Sequence, residues 1–402
     1  MRVLVTGAAG FVGSHLVDRL LAEGHAVDAL DDLSGGALAN LADARGSAGG
    51  RLSFSRLDVG GDELEALLAR RHPEVVFHLA RPGASTADPA TRAAARLAAA
   101  MRLLVAAERC GVTKVVVVLR AAEIYAEATA KQLPIRESHP IEPRSLAGIA
   151  DRAVLDALRL WRELYDLEHT ALAMAEVYGP RQPATAGVVA ALVAAAARGE
   201  PIDSSGGPGG TDDYLYVDDA VDALARAASR GSGLLLNVGT GKQTSLAELA
   251  SAVAAATSTG RGSALATPAP DRPAGPGMGA GVQVGSGGRA ATHPSAGSGG
   301  RAAPHPPAGS GDRTPPGGPA GSEVDRPPTD PQASPSAPLQ PGAATATGID
   351  ADAPLGMERA RRRGRLALDS SRARLHLGWE PWTTLAEGLG STAEWWSCPG
   401  DR

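Results

Sequence analysis

The chain has 402 residues, of which 43% are apolar, and this is enough to bury a substantial core. A formal net charge of −5, with no basic run beside aromatic residues, argues against nucleic acid as a partner. No stretch of about 18 consecutive apolar residues and no signal-peptide pattern is present, so we expect a soluble, cytoplasmic protein. The two cysteines, Cys110 and Cys398, lack metal-ligand spacing, and we predict neither a metal site nor a disulfide.

Residues 1–257 alternate β-rich runs with helical patterns, the order typical of a parallel sheet covered by helices on both faces. The predicted strands are Arg2–Thr6, Ala26–Asp31, Leu52–Leu57, Val75–Leu79, Lys114–Leu119 and Thr170–Ala175. The predicted helices are Phe11–Glu23, Asp62–Arg71, Pro89–Cys110 and Ala147–Leu167. The expected fold class is α/β, a Rossmann-like doubly wound parallel sheet.

A glycine-rich loop, TGAAGFVG, follows the first predicted strand and opens the first helix. Its glycines allow a tight turn and bring the backbone close to a pyrophosphate at the positive end of the helix. The cofactor-binding residues predicted in this loop are Gly7, Gly10, Phe11, Val12 and Gly13. Asp31 ends the second strand, where a carboxylate accepts ribose hydroxyls and repels a 2′-phosphate. The sequence therefore predicts NAD rather than NADP.

Composition changes sharply at residues 258–350, which are rich in Gly, Pro, Ala, Ser and Thr. With almost no large apolar side chains, this segment cannot offset its ordering entropy, and we predict a disordered insert. Its short repeat contains His293 and His305, which we interpret as linker residues rather than metal ligands. Two roles stay open for the insert: a flexible linker, or a Pro-rich docking segment.

Beyond the glycine loop, three further motifs carry a resemblance to a known family: DDLSG at residues 31–35, LDV at 57–59 and FHLA at 77–80. Together these motifs resemble the extended short-chain dehydrogenase/reductase family, especially its UDP-galactose 4-epimerase and dTDP-glucose 4,6-dehydratase branches. The likeness covers roughly residues 1–257 and 355–397. It implies that Asp58 and Val59 border the adenine, and that His78, Leu79 and Ala80 line the path toward the nicotinamide.

The resemblance also implies a domain organisation. Residues 1–257 are expected to form an NAD-binding Rossmann domain with part of a small substrate-type subdomain, which residues 351–402 complete. The insert thus interrupts a domain rather than separating two. In the family, the helices that correspond to residues 89–110 and 147–167 usually form the dimer interface, so the resemblance implies a homo- or heterodimer.

The family's chemistry, by the same resemblance, uses a Tyr as base, a Lys four residues later and a Ser or Thr at a strand end. The corresponding positions hold Ala147, Asp151 and Ala121. Our leading hypothesis is therefore a catalytically inactive member that binds NAD as a scaffold, a sensor or a partner of an active paralogue. The alternative is an active nucleotide-sugar epimerase or dehydratase with Glu123 and Tyr125 as substitute acid–base residues.

The substrate side departs from the family as well. Thr211-Asp212-Asp213 places a carboxylate where a diphosphate-binding Arg is expected, and like charge would oppose such a ligand. Glu176 occupies a position where the family usually has Asn, and Arg96 lies near another such position. Arg362 is only a weak match to a family diphosphate-binding Arg. We therefore do not expect tight binding of a sugar nucleotide.

Overall fold

The computed structural model describes residues 1–81, 88–201, 210–263 and 364–397. Its strands are β1 (Arg2–Thr6), β2 (Ala26–Asp31), β3 (Leu52–Arg56), β4 (Val75–His78), β5 (Lys114–Arg120), β6 (Glu168–Met174), β7 (Glu176–Tyr178), β8 (Thr211–Asp212), β9 (Tyr214–Tyr216), β10 (Leu234–Val238) and β11 (Thr244–Ser245). Its helices are α1 (Phe11–Ala22), α2 (Ala42–Ser47), α3 (Glu63–Arg71), α4 (Pro89–Arg109), α5 (Ala121–Ile124), α6 (Leu146–Tyr165), α7 (Val188–Arg198), α8 (Val217–Ala227), α9 (Leu246–Ser263), α10 (Ser371–Leu377) and α11 (Leu385–Ser397).

Seven strands form one central sheet in the order β10-β6-β5-β4-β1-β2-β3, and every pair of neighbours is parallel. Val3 of β1 pairs with Val27 on one side and Val75 on the other. Such strands are apolar along their whole length because helices cover both faces of the sheet. The strand order reverses between β1 and β4, and ligands of doubly wound sheets bind at the carboxyl edge beside such a reversal.

The predicted doubly wound α/β fold is confirmed. Each of the six predicted strands and four predicted helices is present, with ends that differ by at most two residues. The seventh strand of the sheet, β10, was not assigned from the sequence. Its apolar run, Leu234–Val238, is five residues long and gives no periodic signal of its own.

Residues 364–397 return to the main body of the protein through backbone hydrogen bonds. The Ile135 N–H donates to the Ala367 carbonyl at 2.7 Å, and the Leu366 N–H donates to the Thr211 carbonyl at 2.9 Å. Trp379 is buried and donates its indole N–H to the Asp219 carbonyl. The described residues on both sides of the insert thus belong to one compact unit.

Most of the predicted insert, with His293 and His305, lies outside the described residues, and so does Arg362. At its start the prediction differs from the structure, because α9 continues to Ser263, past the boundary predicted at residue 258.

Candidate active site

The glycine loop after β1 is folded tightly against the segment that follows β4. Gly7 has a φ of +69°, and a Cβ at this position would lie 2.8 Å from the backbone nitrogen of Ala80. A Cβ on Gly13 would overlap the Gly7 carbonyl oxygen. No side chain caps α1 at its N-cap residue, Gly10, so the backbone N–H groups of the first turn stay available to an anion. This loop therefore fits the diphosphate of NAD.

Asp31 lies beside the same loop at the end of β2 and is almost fully buried. Its carboxylate accepts the N–H of Ala9 at 2.9 Å and that of Leu33 at 2.8 Å. Burial raises the pKa of Asp31, and the backbone N–H groups oppose that rise. A carboxylate has about four acceptor positions. The bonds to Ala9 and Leu33 therefore leave acceptor capacity on this carboxylate, and its ribose-binding role stays a prediction.

The adjoining strands β3 and β4 bring the other predicted cofactor residues to the same edge. After β3, Asp58 accepts the N–H of Gly60 at 2.9 Å, and Val59 is buried. At the end of β4, the His78 Nδ1 lies 3.0 Å from the Thr6 hydroxyl. Burial, together with two nearby arginines, lowers the pKa of His78 to about 3, so His78 is neutral at physiological pH.

The positions that correspond to the family's catalytic residues lie together where α5 and α6 begin. Ala121 is fully buried at the start of α5, and Ala147 is half-buried in the first turn of α6. Asp151, one turn later, is fully buried. None of the three side chains carries a hydroxyl or an ammonium group. That these positions correspond to the family's proton-transfer residues stays a prediction from the sequence.

Of the two substitute residues predicted from the sequence, the structure favours Glu123. Ser145 caps α6 by accepting the N–H of Gly148 at 3.0 Å, and it donates its hydroxyl to the Glu123 carboxylate. Tyr125 is buried instead, and its hydroxyl donates to the Asn237 side-chain oxygen at 2.7 Å. Burial raises the pKa of Tyr125 above its ordinary value, which opposes a role as base.

Two ion pairs near these positions were not predicted from the sequence. Asp151 on α6 pairs with Arg96 on α4, and Glu176 on β7 pairs with Arg120 at 3.2 Å. The sequence marked Arg96, Asp151 and Glu176 as departures from the family pattern, but sequence distance concealed their partners. Arg81, directly after the predicted cofactor segment, was missed altogether and lines a small cavity together with Arg96.

The two aspartates at positions 212 and 213 are both buried. Asp213 accepts backbone N–H groups from Thr240 at 2.9 Å, Gly241 at 2.9 Å and Leu368 at 3.1 Å. Asp212 accepts the N–H of Asp213 at 3.0 Å. Asp213 therefore fastens the chain after the insert to the loop after β10, a structural role that the sequence argument did not predict.

Comparison with known proteins settles the family. A sequence model of the NAD dependent epimerase/dehydratase family matches residues 3–239. The chain belongs to this family. It is 43% identical over 262 residues to a UDP-glucose 4-epimerase of Mycolicibacterium smegmatis, covering 64% of this chain and 82% of the relative. It is 29% identical over 252 residues to a putative UDP-glucose 4-epimerase of Methanocaldococcus jannaschii, covering 61% of this chain and 79% of the relative.

Solved structures agree with this membership. The structure of UDP-glucose 4-epimerase from Thermotoga maritima with UDP-glucose has a TM-score of 0.68 and 27% identity, covering 98% of each chain. The Thermus thermophilus UDP-glucose 4-epimerase complexed with NAD has a TM-score of 0.66 and 25% identity, covering 98% of this chain and 99% of the other. The family predicted from the sequence is confirmed, and the prediction of NAD as cofactor agrees with it.

The described residues contain neither a membrane-spanning helix nor a cluster of metal ligands. Among them, no helix is both long and apolar enough to cross a membrane. In the same part of the chain, no group of three or more His, Cys, Asp or Glu side chains could hold a metal ion.

Proposed function

We propose that this chain is an NAD-dependent enzyme acting on a nucleotide sugar, with Glu123 as the acid–base group in place of the family's Tyr. The observation that carries the proposal is the Glu123 carboxylate, held by the Ser145 hydroxyl where α5 meets α6. The positions of the missing Tyr and Ser or Thr, Ala147 and Ala121, belong to the same two helices. A carboxylate on these two helices supports the proposal of a proton acceptor near the positions that correspond to the family's catalytic residues.

NAD is supported by the glycine loop, by Asp31 and by the family to which the chain belongs. When bound, NAD supplies the hydride acceptor. The protein's part is to hold the diphosphate at the first turn of α1 and the adenine-side ribose at Asp31. The names of the relatives support a nucleotide sugar as substrate. Each relative compared above is named as a UDP-glucose 4-epimerase or a putative one.

Glu123 has surroundings suited to proton transfer. It lies close enough to Arg96 and Asp151 to influence the pKa of both. Its carboxylate, half-buried on the short helix α5, is oriented by the Ser145 hydroxyl. A carboxylate held in this way can take the proton of a sugar hydroxyl, and bound NAD would accept the hydride from the carbon that bears that hydroxyl.

The inactive member remains the second candidate, because Ala121, Ala147 and Asp151 remove three groups that act as a unit in the family. Such a protein would bind NAD as a scaffold, as a sensor or as a partner of an active paralogue. The relatives described above are named as enzymes, which favours the active alternative.

Product analysis separates the two candidates. The full-length, charcoal-stripped protein is incubated with NAD and either UDP-glucose or UDP-galactose, and the sugar products are identified by mass spectrometry and chromatography. We expect turnover by the wild-type protein and a loss of about 100-fold or more in Glu123→Gln. Glu127→Gln, which changes an exposed carboxylate nearby, is the matched control and should keep its rate.

Two results would count against the proposal in different ways. Absence of product from wild-type protein that binds both ligands supports the inactive candidate. Equal rates in Glu123→Gln and wild-type protein leave an enzyme but exclude Glu123 as its acid–base group.

We also propose that the chain forms dimers through α6. Five large apolar side chains of this helix are exposed: Leu146, Ile149, Leu160, Leu164 and Tyr165. Apolar surface of this extent on one helix is typical of an interaction site. A second copy of the chain, or a paralogue, would bury it.

A further inference from the structure

The contact between α4 and α6 encloses a pair of opposite charges. Asp151 of α6 has no solvent exposure, and the Arg96 side chain of α4 is 11% exposed. Burial raises the pKa of Asp151, and the guanidinium of Arg96 opposes that rise. Separating the pair would leave a charge buried without a partner, so the two residues depend on each other.

The two members of the pair have different positions relative to the site. Arg96 lines the small cavity at the end of β4, together with His78, Leu79 and Ala80. Asp151, its ion-pair partner, is not among the lining residues. Arg96 is therefore the member that faces the segment predicted to lead to the nicotinamide.

Charge explains why both positions differ from the family at once. Lys occupies the family position that corresponds to Asp151, and a Lys there would place two cations in one buried contact with Arg96. With Asp at 151 the Arg96–Asp151 pair itself is neutral, and its cation is supplied by α4 instead of α6. Arg81 lines the same cavity and is close enough to influence the pKa of Asp151. The contact between α4 and α6 thus still contains a positive group, which α4 supplies through Arg96.

We propose that Arg96, on α4, binds the nicotinamide-side ribose of NAD. By the resemblance stated above, the family holds this ribose with the Lys four residues after its Tyr, at the position of Asp151 on α6. Asp151 acts as the positioning residue that holds Arg96. This inference rests on the proposed binding of NAD. Arginine suits the role because its guanidinium has five N–H donors in a fixed plane. One edge can satisfy Asp151 while other donors remain for ribose hydroxyls.

The test compares NAD with ADP, because ADP lacks the nicotinamide-side ribose. Both are titrated calorimetrically into charcoal-stripped, full-length protein. The double variant Arg96→Gln/Asp151→Asn removes both charges of the pair together. We expect it to bind NAD about 10- to 100-fold more weakly, the effect of losing hydrogen bonds from a charged donor. Its ADP affinity should stay within about twofold of wild type.

A rescue variant distinguishes ligand binding from a purely structural role. Arg96→Asn/Asp151→Lys restores a Lys on α6 and removes the Arg from α4. We expect this variant to recover most of the NAD affinity that the neutral double variant loses. Arg102→Gln changes an exposed arginine on the same helix and should leave both affinities unchanged. Thermal unfolding of each ligand-free variant verifies that the fold is kept.

Each outcome decides between defined alternatives. NAD affinity equal to wild type in the neutral double variant overturns the assignment of Arg96, and so does an equal loss for NAD and ADP. Wild-type protein that binds ADP but not NAD also overturns it, while leaving the nucleotide loop intact. If neither ligand binds to wild-type protein, the proposed function fails together with the inference.

Discussion

His169 lies on β6 and has almost no solvent exposure. Its Nδ1 atom has no hydrogen-bond partner among the described residues. Burial, with smaller contributions from nearby Arg162 and Arg159, lowers the pKa of His169 to about 4 from 6.5. Folding therefore opposes protonation of this imidazole. The neutral imidazole's contribution to the free energy of unfolding is complete above pH 6.5, and it is lost as the pH falls toward 4.

Replacement of this residue tests the argument. We expect His169→Gln to flatten the acid side of the stability curve, because the wild-type protein loses about 3 kcal/mol there through this one group. The free energy of unfolding is measured with urea between pH 7 and pH 4. His376→Gln, which changes an exposed histidine on α10, should follow the wild-type curve. Parallel curves for His169→Gln and wild type would show that the buried imidazole is not responsible.

At the scale of elements, helix α6 has apolar side chains both in the core and on the protein surface. Val154, Leu155 and Leu158 of this helix are buried in the core, whereas the five large apolar side chains of the proposed dimer surface are exposed. Interface cores are poor in charged residues, since an unpaired charge there is costly to desolvate.

The proposed dimer is tested by placing a charge on this surface. We expect Leu160→Arg to weaken self-association by at least about 30-fold, the effect of changing one dominant interface residue. Sedimentation velocity over a range of protein concentrations measures the change. Leu375→Arg alters an apolar side chain of α10 that is 76% exposed, and it should leave the association state unaltered. A monomeric wild-type protein would exclude α6 as a homodimer surface.

At the scale of the whole molecule, the described part of the chain is interrupted after α9 and resumes at residue 364. The returning segment is held by Asp213, which binds the Leu368 N–H, and by Trp379, which is buried against α8. These contacts join residues that are more than 150 positions apart in the chain. The fold therefore depends on residues after the insert.

This dependence predicts different outcomes for two deletions. Replacing residues 269–349 by a short Gly/Ser linker should change the Tm by no more than about 3 °C, because the contacts above stay in place. Truncation after residue 349 should abolish cooperative unfolding, since it removes Trp379 and uncovers the buried Asp213. Differential scanning calorimetry compares the two proteins. A large loss of Tm in the linker variant would show that the insert itself contributes to the fold.

The sequence by itself determined the doubly wound sheet, the glycine loop and the position of Asp31. These features are local: a strand, a turn and a helix dipole follow each other within about 30 residues. The prediction that the family's Tyr and Lys are absent is likewise made from single positions.

Only the tertiary structure decided which side chains compensate for one another. Arg96 and Asp151 are 55 positions apart by their numbering, and their pairing depends on how α4 packs against α6. Tyr125 and Glu123 are two residues apart, yet one is buried against Asn237 and the other is held by Ser145. Burial and charge pairing depend on neighbours in space, so a pattern along the chain does not determine them.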